Sequence, residues 1–405
     1  ETAYGQYAAA MSANHACVPV NENDRVINFL PFTHVFERGW SCLSLGVGAQ
    51  LIVNTDPKNI QESMRQTHPT SMASVPRFWE KVYQAVKGKI DTSNPVEKKI
   101  FLHALKVGKR HNIDYLSKCK RPPLSLSLEY KILNKSILSL VRKQLGLENA
   151  HIFPTAGAYV SPEVETFVHS IGLNMLKGYG LTESLATVSC DRCDETYTVG
   201  SAGRPIDGIE IKIGADNEIL LKGPTITPGY YKREALNAQA FDADGFFHTG
   251  DAGYTKDGEL YLTERIKDLF KTSNGKYIAP QMIESLLLVD KFVDQIAVIA
   301  DQRKFVSALI VPEFNTLEKW ARDKGIFYNS LEELCANQEI NDMMKERIDT
   351  LLQGLANYEK IKRFTLLSHH FAMDTGELTN TLKMRRPVIY KKYKDIIDKM
   401  YEENQ

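Results

Sequence analysis

The sequence Lys177-Gly178-Tyr179-Gly180-Leu181-Thr182-Glu183-Ser184 places an aromatic ring, two glycines, a hydroxyl group and a carboxylate close together. Glycine lets the backbone approach a ligand closely because it has no Cβ atom. Tyr179 can stack on a flat base, Thr182 can hydrogen-bond a phosphate, and Glu183 can hold Mg²⁺ as an oxygen ligand. The run also suits a plain turn between a strand and a helix, with Thr182 and Glu183 as capping residues. Alone, it leaves a nucleotide site and a structural turn as two open interpretations.

Three further segments follow this run. The first is His248-Thr249-Gly250-Asp251, the second is Arg265-Ile266-Lys267-Asp268-Leu269-Phe270-Lys271, and the third is Thr379-Asn380-Thr381-Leu382-Lys383-Met384-Arg385-Arg386. In this order and spacing the four segments resemble the motifs of the adenylate-forming superfamily, which comprises acyl- and aryl-CoA synthetases, luciferases and the adenylation domains of peptide synthetases. Each segment is a weak signal alone, but the ordered set is specific, and the resemblance covers nearly the whole chain.

The resemblance implies an adenine site built from two stretches of sequence. Tyr179 is expected to pack on the base, with Gly180 beside it. The backbone of Ala156, Gly157 and Ala158 is expected to line the same base.

The resemblance also implies contacts to phosphate, metal and ribose. Thr182 is expected to contact phosphate and Glu183 to hold Mg²⁺. Asp251 is expected to accept hydrogen bonds from both ribose hydroxyls, which suits a carboxylate with two acceptor oxygens. Arg265, fourteen residues further on, is expected to reach the ribose as well. The structural alternative for Asp251 is a turn residue, and its position after Phe246-Phe247-His248 favours the ribose role.

Lys383 is the predicted catalytic lysine. Its ammonium group can bridge the substrate carboxylate and the α-phosphate oxygens, and so stabilise charge that builds up in the transition state. The alternative is a solvated lysine, because a basic tail follows. The frame Leu378-Thr379-Asn380-Thr381-Leu382-Lys383 is similar to that of long-chain acyl-CoA synthetases and favours the catalytic role.

His34 completes the predicted catalytic set with Lys383, Thr182 and Glu183. It lies in residues 31–38, a segment that resembles the acyl-pocket segment of the superfamily. A lone histidine after a strand is more often structural, so both roles stay open.

Within the superfamily, three features resemble long-chain acyl-CoA synthetases. The evidence is the phrase at residues 75–82, the helical insert at 77–147 and the motif around Lys383. The expected function is ATP-dependent conversion of a fatty acid to acyl-AMP and transfer to coenzyme A, with ATP, Mg²⁺ and coenzyme A as cofactors and co-substrates.

One motif of the superfamily is missing from the sequence. Its phosphate loop is rich in Ser, Thr and Gly, ends in Pro-Lys-Gly and cradles phosphates through backbone N–H groups. By the resemblance this loop would precede Glu1, so the chain is expected to be the C-terminal portion of such an enzyme. The alternatives are a non-catalytic or only nucleotide-binding fragment, and an aryl-CoA ligase of the same superfamily.

Composition and charge limit the classes of partner and the compartment that we expect for this chain. The chain has 405 residues with Lys+Arg and Asp+Glu balanced at 50 each, so no nucleic-acid partner is expected. Six scattered cysteines are typical of reduced cytosolic thiols rather than a disulfide framework. We therefore expect a cytoplasmic protein. The acyl substrate implied by the resemblance adds an expected peripheral contact with the inner face of a membrane.

Hydrophobic periodicity predicts an α/β fold in two domains. Apolar runs at residues 25–30, 50–53, 70–75 and 152–157 alternate with helical patterns, which indicates a doubly wound, mostly parallel sheet. A small β subdomain is predicted from residue 209 onward. Residues 1–266 are thus expected to be a remnant of the large adenylate-forming domain. Residues 267–405 are expected to be a small, mobile α+β domain, with Lys267 at the hinge that the superfamily uses.

Overall fold

The computed structural model describes residues 4–192, 196–379 and 384–402. The chain divides into two compact units, Glu1–Ile266 and Lys267–Gln405. Each unit has its own hydrophobic core.

The first unit contains nine helices and ten strands among its described residues. The helices are α1 (Tyr4–Cys17), α2 (Val35–Gly46), α3 (Ile60–Thr67), α4 (Pro76–Thr92), α5 (Pro95–Lys109), α6 (Leu124–Leu133), α7 (Ser139–Leu145), α8 (Pro162–Ser170) and α9 (Glu234–Ala240). The strands are β1 (Arg25–Asn28), β2 (Gln50–Val53), β3 (Phe153–Thr155), β4 (Met175–Tyr179), β5 (Ser189–Cys190), β6 (Arg204–Pro205), β7 (Glu210–Ile213), β8 (Glu218–Lys222), β9 (Phe247–Lys256) and β10 (Glu259–Arg265).

A mostly parallel sheet forms the centre of this unit. β1 pairs with β2 and β3 pairs with β4, both in parallel. Parallel bridges from Ser71 to Val26 and to Ile152 join the two pairs. Helices α2, α3 and α8 lie in the connections between these strands, as expected for crossover units. The α/β class and the parallel sheet predicted from the sequence are confirmed.

The strand predicted at residues 70–75 is wrong in extent. It is reduced to isolated bridges at Ser71 and Ser74. One reason is Pro154 in the neighbouring β3, which has no N–H to give to the ladder. Side chains supply part of the missing pairing, because Ser71 Oγ donates to the Ile152 carbonyl at 2.9 Å and Ser74 Oγ to the Pro154 carbonyl at 3.3 Å.

The predicted helical insert is present and begins with α4. Pro76 starts this helix, where its missing N–H is not needed. The fully buried Trp79 anchors it, since its indole N–H donates to Ser74 Oγ at 2.8 Å. Two short π-helical turns, Arg110–Tyr115 and Asn134–Leu138, follow α5 and α6.

The predicted β subdomain is an antiparallel sheet of four strands in the order β10-β9-β8-β7. Its first hairpin pairs Glu210 with Lys222 and Ile213 with Ile219. β9 and β10 form a longer hairpin, in which Arg265 lies opposite Asp251.

The second unit is built around a three-stranded sheet. The strands of the whole unit are β11 (Phe270–Lys271), β12 (Tyr277–Ile278), β13 (Val293–Ile299), β14 (Val306–Pro312) and β15 (Ile361–Leu366). Its helices are α10 (Pro280–Leu287), α11 (Phe314–Lys324), α12 (Leu331–Ala336), α13 (Gln338–Leu351), α14 (Arg386–Lys392) and α15 (Lys394–Tyr401).

The three-stranded sheet of this unit is β13-β14-β15. Alternate residues of β13 and β14 belong to two separate apolar clusters, so helices cover both faces. Helix α13 ends at Leu351, because Leu352 leaves the helical conformation.

Candidate nucleotide-binding site

Tyr179, Asp251 and Arg265 come together although they lie on three strands. The Tyr179 hydroxyl donates to Asp251 Oδ2 at 2.7 Å, and Arg265 Nε lies 3.2 Å from Asp251 Oδ1. Asp251 is buried, whereas the Arg265 side chain is 59% exposed. The carboxylate is therefore held between a phenol and a guanidinium, at the point where β4 meets the β9–β10 hairpin.

Tyr179 has a polar tip and an apolar ring in different surroundings. Burial, followed by the charge of Asp251 and its hydrogen bond, raises the pKa of Tyr179 well above its usual range. Its hydroxyl therefore stays protonated and donates. Its ring lines a pocket that also includes Thr155, Ala156 and Gly178.

The predicted adenine-lining backbone follows β3 directly. Thr155 is buried beside Lys177 of β4, and the chain reaches the surface over the next three residues, Ala156, Gly157 and Ala158. Gly157 has φ +95° with nothing near the position of a Cβ atom, so its backbone conformation requires glycine and its packing does not. The structure thus brings this segment to the wall that contains Tyr179.

Gly180 is required by a close contact within the protein. A Cβ atom there would lie 1.6 Å from the Ala186 carbonyl oxygen. The chain turns back after Tyr179 and pairs with β5, so the peptide of Ala186 lies against Gly180. Gly178 is less crowded, with 3.2 Å between its ideal Cβ and the Ser189 oxygen.

The turn after Tyr179 is a 3-10 helix over Thr182–Ser184. The capping contact of this turn comes from Ser184, whose Oγ accepts from the Leu181 N–H at 2.9 Å, and not from the alternative caps Thr182 and Glu183. Thr182 is exposed and Glu183 is half-buried, so both side chains stand at the surface of this turn.

Glu183 is held by a residue that sequence reasoning missed. The Tyr230 hydroxyl donates to Glu183 Oε1 at 2.9 Å, and the Thr227 N–H donates to the Glu183 carbonyl oxygen at 2.7 Å. Burial and this hydrogen bond raise the pKa of Tyr230 to about 12. The sequence signal was Gly229-Tyr230-Tyr231 in a turn-rich stretch after β8.

Glu183 would supply a single carboxylate ligand to Mg²⁺. Among residues 4–192, 196–379 and 384–402, no group of three or more His, Cys, Asp or Glu side chains could hold a metal. Mg²⁺ commonly takes one or two carboxylates and completes its shell with water and substrate phosphates. A single carboxylate, oriented by Tyr230, meets that requirement.

His34 caps α2 in this structure. Its ring Nδ1 accepts from the Phe36 N–H at 3.3 Å, which is an N-cap contact. This geometry supports the structural interpretation, while its catalytic role stays a prediction. Phe36 and Trp40 of the same helix line the pocket that contains Tyr179.

A carboxyl group lies buried one turn into α2. Glu37 has no exposed surface, and neither of its carboxyl oxygens has a hydrogen-bond partner among the described residues. Burial raises the pKa of Glu37 to about 8, against opposing influences from Asn28 and the Leu30 backbone. The group is therefore largely protonated at neutral pH, and no pattern in the sequence predicts its burial.

A buried ionic cluster lies under β4. Lys177 Nζ is 2.8 Å from Glu165 Oε2 of α8, and the Lys177 N–H donates to Asp191 Oδ2 at 3.1 Å. Lys177 Nζ also donates to the Ser201 carbonyl oxygen. Burial, opposed most strongly by Lys177, raises the pKa of Asp191 to about 8. The cluster holds β4, the strand that ends at Tyr179, and Lys177 is the first residue of the Lys177–Ser184 motif.

The predicted catalytic Lys383 lies outside the described residues, together with Asn380, Thr381 and Leu382. The described residues that flank this stretch are firmly held. Leu378 forms an antiparallel bridge with Met384.

The start of α14, just after this stretch, is held by an ion pair. Arg386 makes two hydrogen bonds of 2.8 Å to the carboxylate of Glu284. Glu284 Oε1 also accepts from the Val298 N–H at 2.8 Å, so the pair joins α14 to α10 and β13.

Comparison with known families matches both parts of the chain. The family described as AMP-binding enzyme matches residues 2–231, and AMP-binding enzyme C-terminal domain matches residues 267–405. Human long-chain-fatty-acid–CoA ligase 1 is 30% identical over 413 residues, covering 97% of this chain and 57% of that protein. Long-chain-fatty-acid–CoA ligase FadD15 of Mycobacterium bovis is 28% identical over 386 residues, covering 94% of this chain and 63% of that protein. The chain thus spans about 57–63% of the length of these relatives.

Solved structures share the fold. The A-PCP didomain of carboxylic acid reductase from Segniliparus rugosus, in complex with AMP, superposes with a TM-score of 0.71 at 23% identity, covering 98% of this chain and 50% of that one. O-succinylbenzoate coenzyme A synthetase from Bacillus subtilis, in complex with ATP and magnesium, gives 0.59 at 21% identity, covering 95% of this chain and 65% of that one. At such identities the similarity establishes the architecture alone.

The contact at Gly180 predicts a difference between the two glycines of the run. Gly180→Ala should destabilise the first unit by about 3 kcal/mol or more, because backbone has to move. Gly178→Ala should cost about 1 kcal/mol, since its neighbour has only a few tenths of an ångström to give. Thermal unfolding of both variants measures the difference. Equal losses would mean that the turn relaxes freely around Gly180.

Asp191 predicts a pH dependence of stability. Its pKa is 3.8 in the unfolded chain and about 8 in the folded one, so between these values the folded state binds more protons. Stability from this group is therefore greatest at low pH and is lost as pH rises toward 8, by up to about 1.4 kcal/mol per pH unit. Asp191→Asn cannot ionise and should lose less stability than the unmodified chain between pH 5 and pH 8.

Denaturant unfolding at several pH values tests this dependence. Asp207→Asn is the matched control, because the Asp207 side chain is 77% exposed. Parallel stability curves for the Asp191→Asn variant and the unmodified chain would show that Asp191 is ionised in the folded state.

Proposed function

This chain belongs to the AMP-binding enzyme family, and we propose that it takes part in AMP-forming activation of a fatty acid and transfer of the acyl group to coenzyme A. Two facts support the proposal. The curated relatives are named long-chain-fatty-acid–CoA ligases, and the matches extend over 94–97% of this chain. The fatty acid as substrate and coenzyme A as thiol acceptor are both part of the proposal.

The arrangement of Tyr179, Asp251 and Arg265 carries the argument. A carboxylate has two acceptor oxygens, which suits the two neighbouring hydroxyl groups of a ribose. The Tyr179 hydroxyl and the Arg265 guanidinium hold the Asp251 carboxylate in place for such a contact. The Tyr179 ring would then face the base from the pocket wall that Ala156 shares.

The triphosphate would lie near the 3-10 turn. Exposed Thr182 would donate to a phosphate oxygen, and Glu183, oriented by Tyr230, would hold Mg²⁺. When bound, Mg²⁺ supplies positive charge that offsets the developing negative charge on the phosphates. Lys383 would contact the α-phosphate and the substrate carboxylate during adenylation.

A second candidate function is nucleotide binding without catalysis. It would need only the contacts of the first unit around Tyr179 and Asp251, and not Lys383. The two measurements below separate the candidates, because the first requires only a nucleotide and the second requires chemistry.

Asp251→Ala should weaken binding of AMP by about 1.5–3 kcal/mol, as expected for lost charge-assisted hydrogen bonds. Calorimetric titration with AMP measures the change. Asp244→Ala, in the same subdomain and with a side chain 73% exposed, is the control and should bind normally. Unchanged affinity in a folded Asp251→Ala variant would remove this residue from the site.

Lys383→Ala should slow acyl-AMP formation by about 10²–10³-fold in the complete protein, yet spare thioester formation from supplied acyl-AMP. The reason is that its charge is needed where the α-phosphate reacts. Pyrophosphate release and thioester formation are assayed separately, with the exposed Lys391→Ala as control. Equal loss in both steps would assign Lys383 to folding or general binding, and no loss in either would leave a solvated lysine.

A further inference from the structure

The positive charge of the chain is concentrated in the helical insert. Residues 76–147 contain sixteen Lys and Arg but only five Asp and Glu. The remainder contains thirty-four basic and forty-five acidic residues, so an overall balance conceals an excess of eleven positive charges in one region and the same negative excess elsewhere. Such an asymmetry orients a protein toward an anionic partner.

An apolar stripe is exposed on the same insert. Leu124, Leu128 and Ile132 are 90%, 62% and 60% exposed. Their spacing of four residues places them on one face of α6, while Leu126 on another face is buried. Aliphatic side chains left this open in a row are unusual for a surface that meets only water.

Cations border the stripe. Lys131 and Lys135 are exposed and follow Leu128 and Ile132 by three residues, which places each beside the stripe. Exposed Arg121 precedes the helix, with Lys118 and Lys120 before it. The acidic Glu129 is engaged elsewhere, at 2.9 Å from His103 of α5.

The combination identifies the chemistry of the partner. A nucleic acid would use the cations but has no place for a row of Leu and Ile. An anionic bilayer uses both, since the acyl boundary takes up aliphatic side chains and the headgroups attract Lys and Arg. Helix α6 has 10 residues, about half of what a membrane-spanning helix needs, so it would lie on the surface of the bilayer. No helix among the described residues is long and apolar enough to cross a membrane.

We propose that α6 docks the insert on an anionic lipid surface, with Leu124, Leu128 and Ile132 entering the acyl boundary and Arg121, Lys131 and Lys135 facing headgroup phosphates. This docking does not depend on the proposed enzymatic function. It would bring a site for an activated acyl chain to the phase in which fatty acids partition.

Vesicle flotation tests the docking with the full chain. Vesicles of phosphatidylcholine alone are compared with vesicles that contain about one-third phosphatidylglycerol, at low and high salt. The chain should float with the anionic vesicles at low salt, bind at least tenfold less to neutral ones, and lose binding as salt is raised. Equal binding to both compositions would overturn the proposal, as would no binding to either.

Two sets of variants separate the stripe from the cations. Leu124→Asn with Leu128→Asn and Ile132→Asn should weaken binding at least about a hundredfold, since three aliphatic side chains are lost from the boundary. Lys131→Gln with Lys135→Gln should weaken it about tenfold or more. Matched controls are Phe327→Asn, at a residue 97% exposed outside the insert, and Lys256→Gln with Lys345→Gln. If the variant with Asn at residues 124, 128 and 132 binds vesicles normally, or if the control variants lose as much vesicle binding, α6 is not the docking site.

A fluorescent probe gives an independent measurement if the stripe variant is poorly folded. An environment-sensitive dye on Leu128→Cys, with the exposed Cys119 changed to Ser, should shift to the blue with anionic vesicles. The same dye on Phe327→Cys should not shift. A dye at residue 128 that responds to an oligonucleotide and not to vesicles would assign the basic region to nucleic acid and overturn the lipid proposal.

Discussion

The buried ammonium group of Lys177 is the constraint on which the first unit depends. A charge removed from water is tolerated only with close partners, and here Glu165 and the Ser201 carbonyl oxygen provide them. Asp191 accepts a hydrogen bond from the backbone N–H of the same lysine. These partners come from α8 and from the loop after β5, so Lys177 holds both segments against β4. The strand ends at Tyr179 two residues later, and the position of that hydroxyl determines where Asp251 is held.

The sequence predicted much of the fold because its signals were local. Apolar runs predicted the strands, and the alternating pattern from residue 209 predicted the β subdomain. Errors arose where a neighbouring strand decided the outcome. Pairing at residues 70–75 depends on Pro154, which is about eighty residues away in sequence.

Sequence motifs predicted which residues form the candidate site but not how they contact one another. Tyr179, Asp251 and Arg265 were identified by motif order, and the structure supplies their contact. Tyr230 was missed because no spacing rule connects it with Glu183, forty-seven residues earlier. Gly180 was predicted to allow close approach of a ligand, and the structure adds a reason that the sequence does not show, the contact with the Ala186 backbone.

The distance along the chain between Tyr179 and Asp251, seventy-two residues, has a consequence for folding. Their hydrogen bond joins the parallel sheet to the antiparallel subdomain, and closing so long a loop has an entropic cost that local contacts do not have. Contacts of this kind form late in folding because they require both parts to be organised first. The pocket beside Tyr179 should then be absent from partly folded chains. A nucleotide that needs this pocket would bind the finished unit selectively and, by mass action, protect it against unfolding.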